Sequence, residues 1–123
     1  MGAAPPEVAA QLDASMDNKY PVLNFDVRFK QIKKSDFTED MIGQMKTDSF
    51  VGACEGFYKN AGKRDEYSRK MLAKIVKEDQ VKIHYLVKDS IGQVIFEDTN
   101  SISNCFDFEK FEFGNIPYRI KIN

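Results

Sequence analysis

The chain is poor in the side chains that bind transition metals, with two cysteines and one histidine among its 123 residues. A structural zinc site takes four Cys or His ligands in paired spacings, which this chain does not supply. The polar stretch at residues 98–104 also lacks the regular oxygen ligands and the glycine of a calcium loop. We therefore expect no metal site, and no motif predicts a cofactor.

Long apolar runs are missing too, and none approaches the length of about 20 residues that a membrane-spanning helix needs. The start of the chain has neither the basic nor the apolar region of a signal peptide. Its Ala- and Pro-rich composition is typical of a mature exported chain produced without its signal, although a cytosolic protein can begin in the same way. We expect residues 1–19 to form a flexible tail and residues 20–123 to form a single domain.

A surplus of one charge sign is also missing, because the formal net charge is -1. Such a chain has no general attraction to nucleic acid or to an anionic membrane. The charges do fall into blocks, acidic at 35–57 and 89–113 and basic at 58–88. Blocks of this kind are typical either of a polarised binding surface or of elements that complement each other when they pack.

Apolar periodicity predicts one strand and then two helices in the first two thirds of the chain. The strand lies at residues 22–32, where apolar side chains occupy alternate positions: Leu23, Phe25, Val27 and Phe29. A helix follows from near Asp36 to about residue 60, and its glycines predict close packing against a neighbour. A second helix is expected over residues 65–78, with one buried stripe formed by Tyr67, Met71 and Ile75 beside Leu72 and Val76.

The last third returns to the period of a strand. Apolar residues alternate over 81–87, a turn follows at 89–92, and residues 93–98 are the expected partner strand of a hairpin. In residues 105–113, Phe106 and Phe108 have the opposite parity to Phe111 and Phe113. We expect a β-bulge near Glu109 and Lys110 to restore one buried face, and a further strand at residues 118–123.

The predicted order of elements is therefore β-α-α-β-β-β-β. Hairpin-linked strands after two helices favour an α+β fold, an antiparallel sheet with both helices packed on one face. This order resembles cystatin-like folds, or the helix-pair-plus-sheet domains of bacterial envelope proteins and β-lactamase inhibitory proteins. The resemblance is one of fold alone, and residues 93–97 do not supply the Q-x-V-x-G motif of cystatin inhibitors.

Cys54 lies in a G-x-C-x-G pattern that a nucleophile elbow also has. An elbow follows a hydrophobic strand, whereas the residues before Cys54 have a helical period. A Cys54–His84 pair, oriented by Asp79 or Asp89, is the other catalytic arrangement, but the parity of His84 predicts that it faces solvent. We therefore predict no catalytic residue.

A disulfide between Cys54 and Cys105 is the favoured interpretation of the cysteines. Closing a loop of about fifty residues stabilises a small domain by about 4 kcal/mol in the chain-entropy model. Such a bond predicts a periplasmic or extracellular location. Two difficulties remain open: the parity of Cys105 is opposite to that of Phe106, and two unpaired cysteines in a cytoplasmic protein would be ordinary usage.

The second helix also carries basic residues that form a possible partner-binding face: Lys63, Arg64, Arg69, Lys70, Lys74 and Lys77. Phosphate or an acidic partner would suit them, and so would plain solvation of a helix face. No aromatic residues interleave with these charges, so we expect no nucleic acid partner.

Three functional hypotheses follow. The first is a non-enzymatic, exported binding or envelope-assembly module of bacterial type that acts through protein–protein contacts. The second is a small-molecule binder or small enzyme with a pocket between sheet and helices, where the hydroxyls of Tyr58, Tyr67, Tyr85 and Tyr118 would converge. The third is a cytosolic regulatory protein with charged interaction faces.

Overall fold

The computed structural model describes residues 12–117, which form an α+β fold with one four-stranded sheet. Its helices and strands are β1 (Leu12–Lys19), β2 (Val22–Phe29), α1 (Glu39–Ala61), α2 (Glu66–Glu78), β3 (Lys82–Lys88), β4 (Val94–Ser101) and α3 (Phe108–Glu112). Short 3-10 helices precede α1 and follow β4, at Lys34–Asp36 and Ile102–Asn104. No helix in this part of the chain has the length and apolar character needed to cross a membrane.

The order β-β-α-α-β-β, followed by the short α3, corrects the predicted one. Residues 12–19, expected in the tail, form β1 and pair antiparallel with β2, so that Leu12 lies opposite Phe29 and Lys19 opposite Val22. An outer strand has one neighbour only, and most of β1 is exposed. It therefore needs few apolar side chains, which is why its composition resembled that of a tail. The remainder of the predicted tail, residues 1–11, lies outside the described residues.

The sheet is mixed, with strand order β1-β2-β3-β4, and the predicted antiparallel sheet is wrong at its centre. Strands β2 and β3 run parallel, whereas β1–β2 and β3–β4 are antiparallel hairpins. Parallel neighbours need a long crossover connection, and α1 with α2 supplies it here.

The predicted alternation within the strands is confirmed. On β2 and β3, the paired residues Phe25 with Tyr85 and Val27 with Val87 share the face that the helices cover. His84 lies on the opposite face, as its parity predicted, and its Nε2 is 2.7 Å from Glu97 Oε2.

The predicted bulge near Glu109 and Lys110 is wrong, because that segment is helix α3. Residues three apart lie on one side of a helix, so Phe108 and Phe111 are buried together without any phase shift. Phe113 is 70% exposed. The register shift occurs elsewhere, between Val87 and Lys88 against β4. The strand expected at residues 118–123 lies outside the described residues.

Both long helices form where predicted, but the buried stripe predicted for α2 is wrong at Tyr67, Met71 and Ile75. Tyr67 is 71% exposed and Met71 and Ile75 are 41% and 43% exposed. The helix buries Val76, as predicted, together with Ala73, and Leu72 is partly buried against the core. The small side chain of Ala73 lets α2 pack closely on the core. This close packing decides which side of the helix is buried, although the predicted stripe has larger apolar side chains.

Asp89 connects the β3–β4 turn to the segment before α1. Its carboxylate accepts hydrogen bonds from the backbone N–H groups of Lys34, Ile91 and Gln93, at 2.8, 3.0 and 2.7 Å. Burial alone would raise the pKa of Asp89, but these amides stabilise the charged form and hold the pKa below its usual value. The fold thus contributes stability through this carboxylate above pH 4, and loses it as the pH falls through the lowered pKa.

Candidate ligand-binding groove

Helix α1 does not cover the whole sheet. Four strands span about 14 Å, more than the diameter of about 10 Å of one helix. Of the strands, α1 lies closest to β4, on the far side of the sheet from β1. The helix-facing side of the β1–β2 hairpin is therefore partly open, and Met16 is 59% exposed there. We call the space between α1 and this side of the hairpin the hairpin groove.

One part of the hairpin groove is a pocket of about 190 Å³, which we call the Tyr85 pocket. Its lining is mainly apolar and comes from both hairpins and from α1: Leu12, Val27, Phe29, Met45, Val87 and Phe96. The polar side chains of the lining are those of Asp48, Ser49 and Tyr85. No described lysine, arginine or histidine lines it, so the pocket offers no cationic partner for an anion.

The other part is a pocket of about 310 Å³ near α2, which we call the Leu72 pocket. Its apolar lining includes Met16, Leu23, Phe25, Phe57, Leu72 and Ile83. Asn60 and Arg64, both exposed residues, bring polar groups to it. Phe25 lines this pocket and Tyr85 the other, and their rings stack with centroids 5.0 Å apart. The stacked pair thus separates the two halves of the groove.

The hydroxyl of Tyr85 is the unusual polar group of the groove. Tyr85 is 4% exposed, and its hydroxyl has no hydrogen-bond partner among residues 12–117. Burial raises the pKa of Tyr85 to about 12, so the side chain is neutral at physiological pH. A neutral phenol can donate one hydrogen bond and accept others.

The predicted cysteine pair is confirmed. Cys54 and Cys105 form a disulfide with their Cα atoms 5.6 Å apart, and both residues are buried. The parity difficulty disappears because Cys105 follows the 3-10 helix at Ile102–Asn104 and belongs to no strand. The bond fixes the C-terminal half of α1 beside the end of β4.

The structure does not assemble the alternative Cys54–His84 arrangement. Cys54 is on the helix side of the sheet and His84 on the other side. The two candidate orienting carboxylates have other partners, since Asp79 accepts a hydrogen bond from the Tyr20 hydroxyl and Asp89 binds backbone amides.

The six basic residues lie along α2 and the loop before it, and most contact neighbours in the same chain. Lys70 pairs with Glu66 at 3.4 Å, Lys74 with Glu78 at 3.9 Å and Lys77 with Glu112 at 3.3 Å. Arg69 donates from Nε to the carbonyl of Gly114 at 2.6 Å and from Nη1 to that of Arg64. Lys63 and Arg64 are exposed. Exposed pairs of this kind contribute little to stability, about 0–1 kcal/mol each.

The predicted cluster of tyrosines is not formed. Tyr58 is fully buried and donates to the carbonyl of Phe106 at 2.7 Å, whereas Tyr67 is exposed. Tyr118 lies outside the described residues. Of the three tyrosines of this set that the structure describes, Tyr85 alone lines the Tyr85 pocket. The second functional hypothesis expected a pocket between sheet and helices, but its position at the edge hairpin was missed because β1, which forms one wall, was taken for a tail. The weak alternation of Leu12, Ala14 and Met16 was the signal that could have found it.

No family model, no curated protein and no solved structure matches the chain. Its class is therefore defined by its own fold and groove: an α+β domain with a mixed four-stranded sheet, one disulfide and an apolar groove beside an edge hairpin.

Proposed function

We propose that this protein is an exported, non-enzymatic binding module that holds a small apolar molecule in the hairpin groove. The observation that carries the proposal is the pair of mainly apolar pockets between α1 and the β1–β2 hairpin. Concave apolar sites with a few polar groups are the usual form of small-molecule sites. Apolar surface left in water is unfavourable by about 25 cal/mol per Å², so a guest that covers it gains that free energy.

The chemistry of the Tyr85 pocket supports binding rather than catalysis. Ser49 and Asp48 are neighbours in sequence on α1, where adjacent side chains do not face each other. Asp48 accepts a hydrogen bond from Gln44 at 2.8 Å. Asp48 is therefore not placed to act as a base for the Ser49 hydroxyl, and this pair does not form an activated nucleophile.

The Cys54–Cys105 disulfide supports a periplasmic or extracellular location, since disulfides persist in oxidising compartments. It argues against the cytosolic regulatory hypothesis, because the cytosol keeps most thiols reduced.

A fluorescence titration with N-phenyl-1-naphthylamine, an uncharged apolar probe, tests the proposal. Ala14 lines the Tyr85 pocket from β1, so Ala14→Phe fills part of the site. Ser15 is the matched control, because it is the next residue of the same exposed strand and its side chain lies on the other face. We expect wild type and Ser15→Phe to bind the probe equally and Ala14→Phe to bind at least tenfold more weakly. Absence of saturable binding, or equal weakening by both substitutions, would contradict the proposal.

A second candidate function, assembly through protein–protein contacts, is supported by the exposed stripe of Tyr67, Met71 and Ile75 on α2. Lysines flank this stripe, which suits a partner helix with an apolar face and acidic borders. Crosslinking in the native host followed by mass spectrometry checks it. A partner captured by wild type and by Ala14→Phe, but lost with Met71→Lys, is the expected result. Capture that Met71→Lys leaves unchanged would exclude this stripe as the contact.

A further inference from the structure

The Tyr85 hydroxyl indicates what kind of molecule the groove selects, an inference that rests on the binding function proposed above. Tyr85 lies on the central strand β3, paired with Phe25 on one side and Asp98 on the other. Its ring is held by the stack on Phe25, with an interplanar angle of 16°. Tyr85 also lines the Tyr85 pocket, and its hydroxyl is buried there with less than 1 Å² exposed, so a guest reaches this atom only by displacing part of the lining.

A buried polar group without a partner is rare in folded proteins, because it loses its hydrogen bonds to water and gains none. The other buried tyrosine, Tyr58, follows the rule and donates to a carbonyl. Tyr85 breaks the rule among the described residues, and it does so at a pocket. A guest that supplies the missing partner therefore gains a hydrogen bond without displacing one made by the protein.

The surroundings define the charge and size of the guest. A charged group in the Tyr85 pocket would lose hydration without meeting an opposite charge at depth, and Asp48 at the lining would repel an anion. The volume of about 190 Å³ is somewhat larger than an apolar cavity of about 150 Å³ that holds benzene. A phenol hydroxyl is a stronger donor than acceptor, because its lone pair is delocalised into the ring.

We propose that the Tyr85 pocket binds small uncharged molecules with an apolar body and one hydrogen-bond acceptor, such as a ketone, ester or ether, and that Tyr85 Oη donates to that acceptor. The Leu72 pocket has no equivalent buried donor, since its polar residues Asn60 and Arg64 are exposed. The hydrogen bond therefore distinguishes the two halves of the groove and orients the guest in one of them.

Two probes of nearly equal shape separate this hydrogen bond from apolar burial. Acetophenone carries a carbonyl acceptor, and isopropylbenzene has the same number of non-hydrogen atoms without one. Their dissociation constants are measured by NMR from the methyl shifts of Met45, Val27 and Val87, which line the pocket. We expect Tyr85→Phe to weaken acetophenone about five- to tenfold, the effect of one neutral hydrogen bond, and to change isopropylbenzene less than twofold.

Tyr58→Phe is the matched control, because it removes a buried hydroxyl that bonds to Phe106 and lines neither half of the groove. It should leave the ratio of the two dissociation constants unchanged. If both probes bind and Tyr85→Phe leaves that ratio unchanged, the assignment of Tyr85 is overturned while the binding function stands. If neither probe binds wild type, both proposals fail.

Discussion

At the scale of single residues, the unpaired hydroxyl of Tyr85 makes the fold less stable than it need be. Leaving a buried donor unsatisfied costs about 1–3 kcal/mol. Tyr85→Phe keeps the ring and its stack on Phe25 while removing this group. We expect the variant to be about 1 kcal/mol more stable than wild type at pH 7, as measured by urea denaturation. A loss of stability would mean that the hydroxyl has a favourable partner.

The same substitution gives a pH dependence with a defined sign. The pKa of Tyr85 is raised to about 12 in the folded protein, whereas an unfolded tyrosine titrates near pH 10. Stability from the neutral hydroxyl is therefore complete below pH 10 and is lost as the pH rises through 12. Over this range we expect wild type to lose about 1–2 kcal/mol relative to Tyr85→Phe, after allowance for solvent screening. Parallel curves for the two proteins would contradict the shift.

Individual residues were predictable from the sequence where one local rule decides their position. Alternation placed Tyr85 on the buried face and His84 on the other, and the two cysteines pair as expected. The lack of a hydrogen-bond partner for the Tyr85 hydroxyl among residues 12–117 was not predictable. It depends on residues from both hairpins and α1 meeting around one atom.

At the scale of elements, α3 is held against α2 through Gly114. This glycine has a φ of +87°, and an added Cβ would lie 2.5 Å from Glu66 Cγ and 3.1 Å from the Glu66 carbonyl oxygen. Gly92, with φ of +89° and room for an added Cβ that would meet nothing within 4 Å, is the matched control. We expect Gly92→Ala to cost about 1 kcal/mol from backbone strain alone and Gly114→Ala about 2 kcal/mol or more. Equal losses in thermal or urea unfolding would show that the contact with Glu66 adjusts freely.

Elements with a long, regular period were predictable, and those decided by their neighbours were not. The alternation in β2 and β3 and the helical period of α1 and α2 are local properties of the chain. The phenylalanines at residues 106–113 fit either a bulged strand or a helix. The burial of Phe108 and Phe111 together favours the helix that the structure shows. Close packing was expected to explain the glycines of α1, yet a Cβ at Gly43 would meet nothing within 4 Å.

At the scale of the whole molecule, the Cys54–Cys105 bond joins α1 to the segment after β4 across 51 residues of chain. In the chain-entropy model a loop of this length stabilises the fold by about 4 kcal/mol. We expect the denatured, unreduced protein to have no thiol that reacts with a maleimide, and two after reduction. Reduction should lower the free energy of unfolding by about 4 kcal/mol.

The Cys54→Ala/Cys105→Ala double variant is the control for this experiment, and its stability should match that of the reduced protein. Reactive thiols in unreduced protein purified under oxidising conditions would contradict the disulfide. They would also remove the support for an oxidising compartment.

The topology of the molecule was the least predictable property. β2 and β3 are parallel because the α1–α2 connection brings the chain back to the end of the sheet at which β2 began. The side-chain pattern within each strand does not indicate its direction relative to the other. The fold class and the helix pair followed from local patterns. The mixed sheet and the groove depend on β1 at the edge, whose side chains are mostly exposed.

The buried residues of α1 are concentrated in one part of the helix. Its four buried residues all lie at positions 53–61, where the disulfide and the bond from Tyr58 to Phe106 also clamp it. None of residues 39–52 is fully buried, and this half packs on the core through the partly buried side chains of Ile42, Met45 and Phe50. Met45 also forms one wall of the Tyr85 pocket, together with Asp48 and Ser49. The wall therefore belongs to the more exposed part of α1. The size of guest that the pocket accepts depends on the packing of this part, rather than on the end of the helix that the disulfide holds.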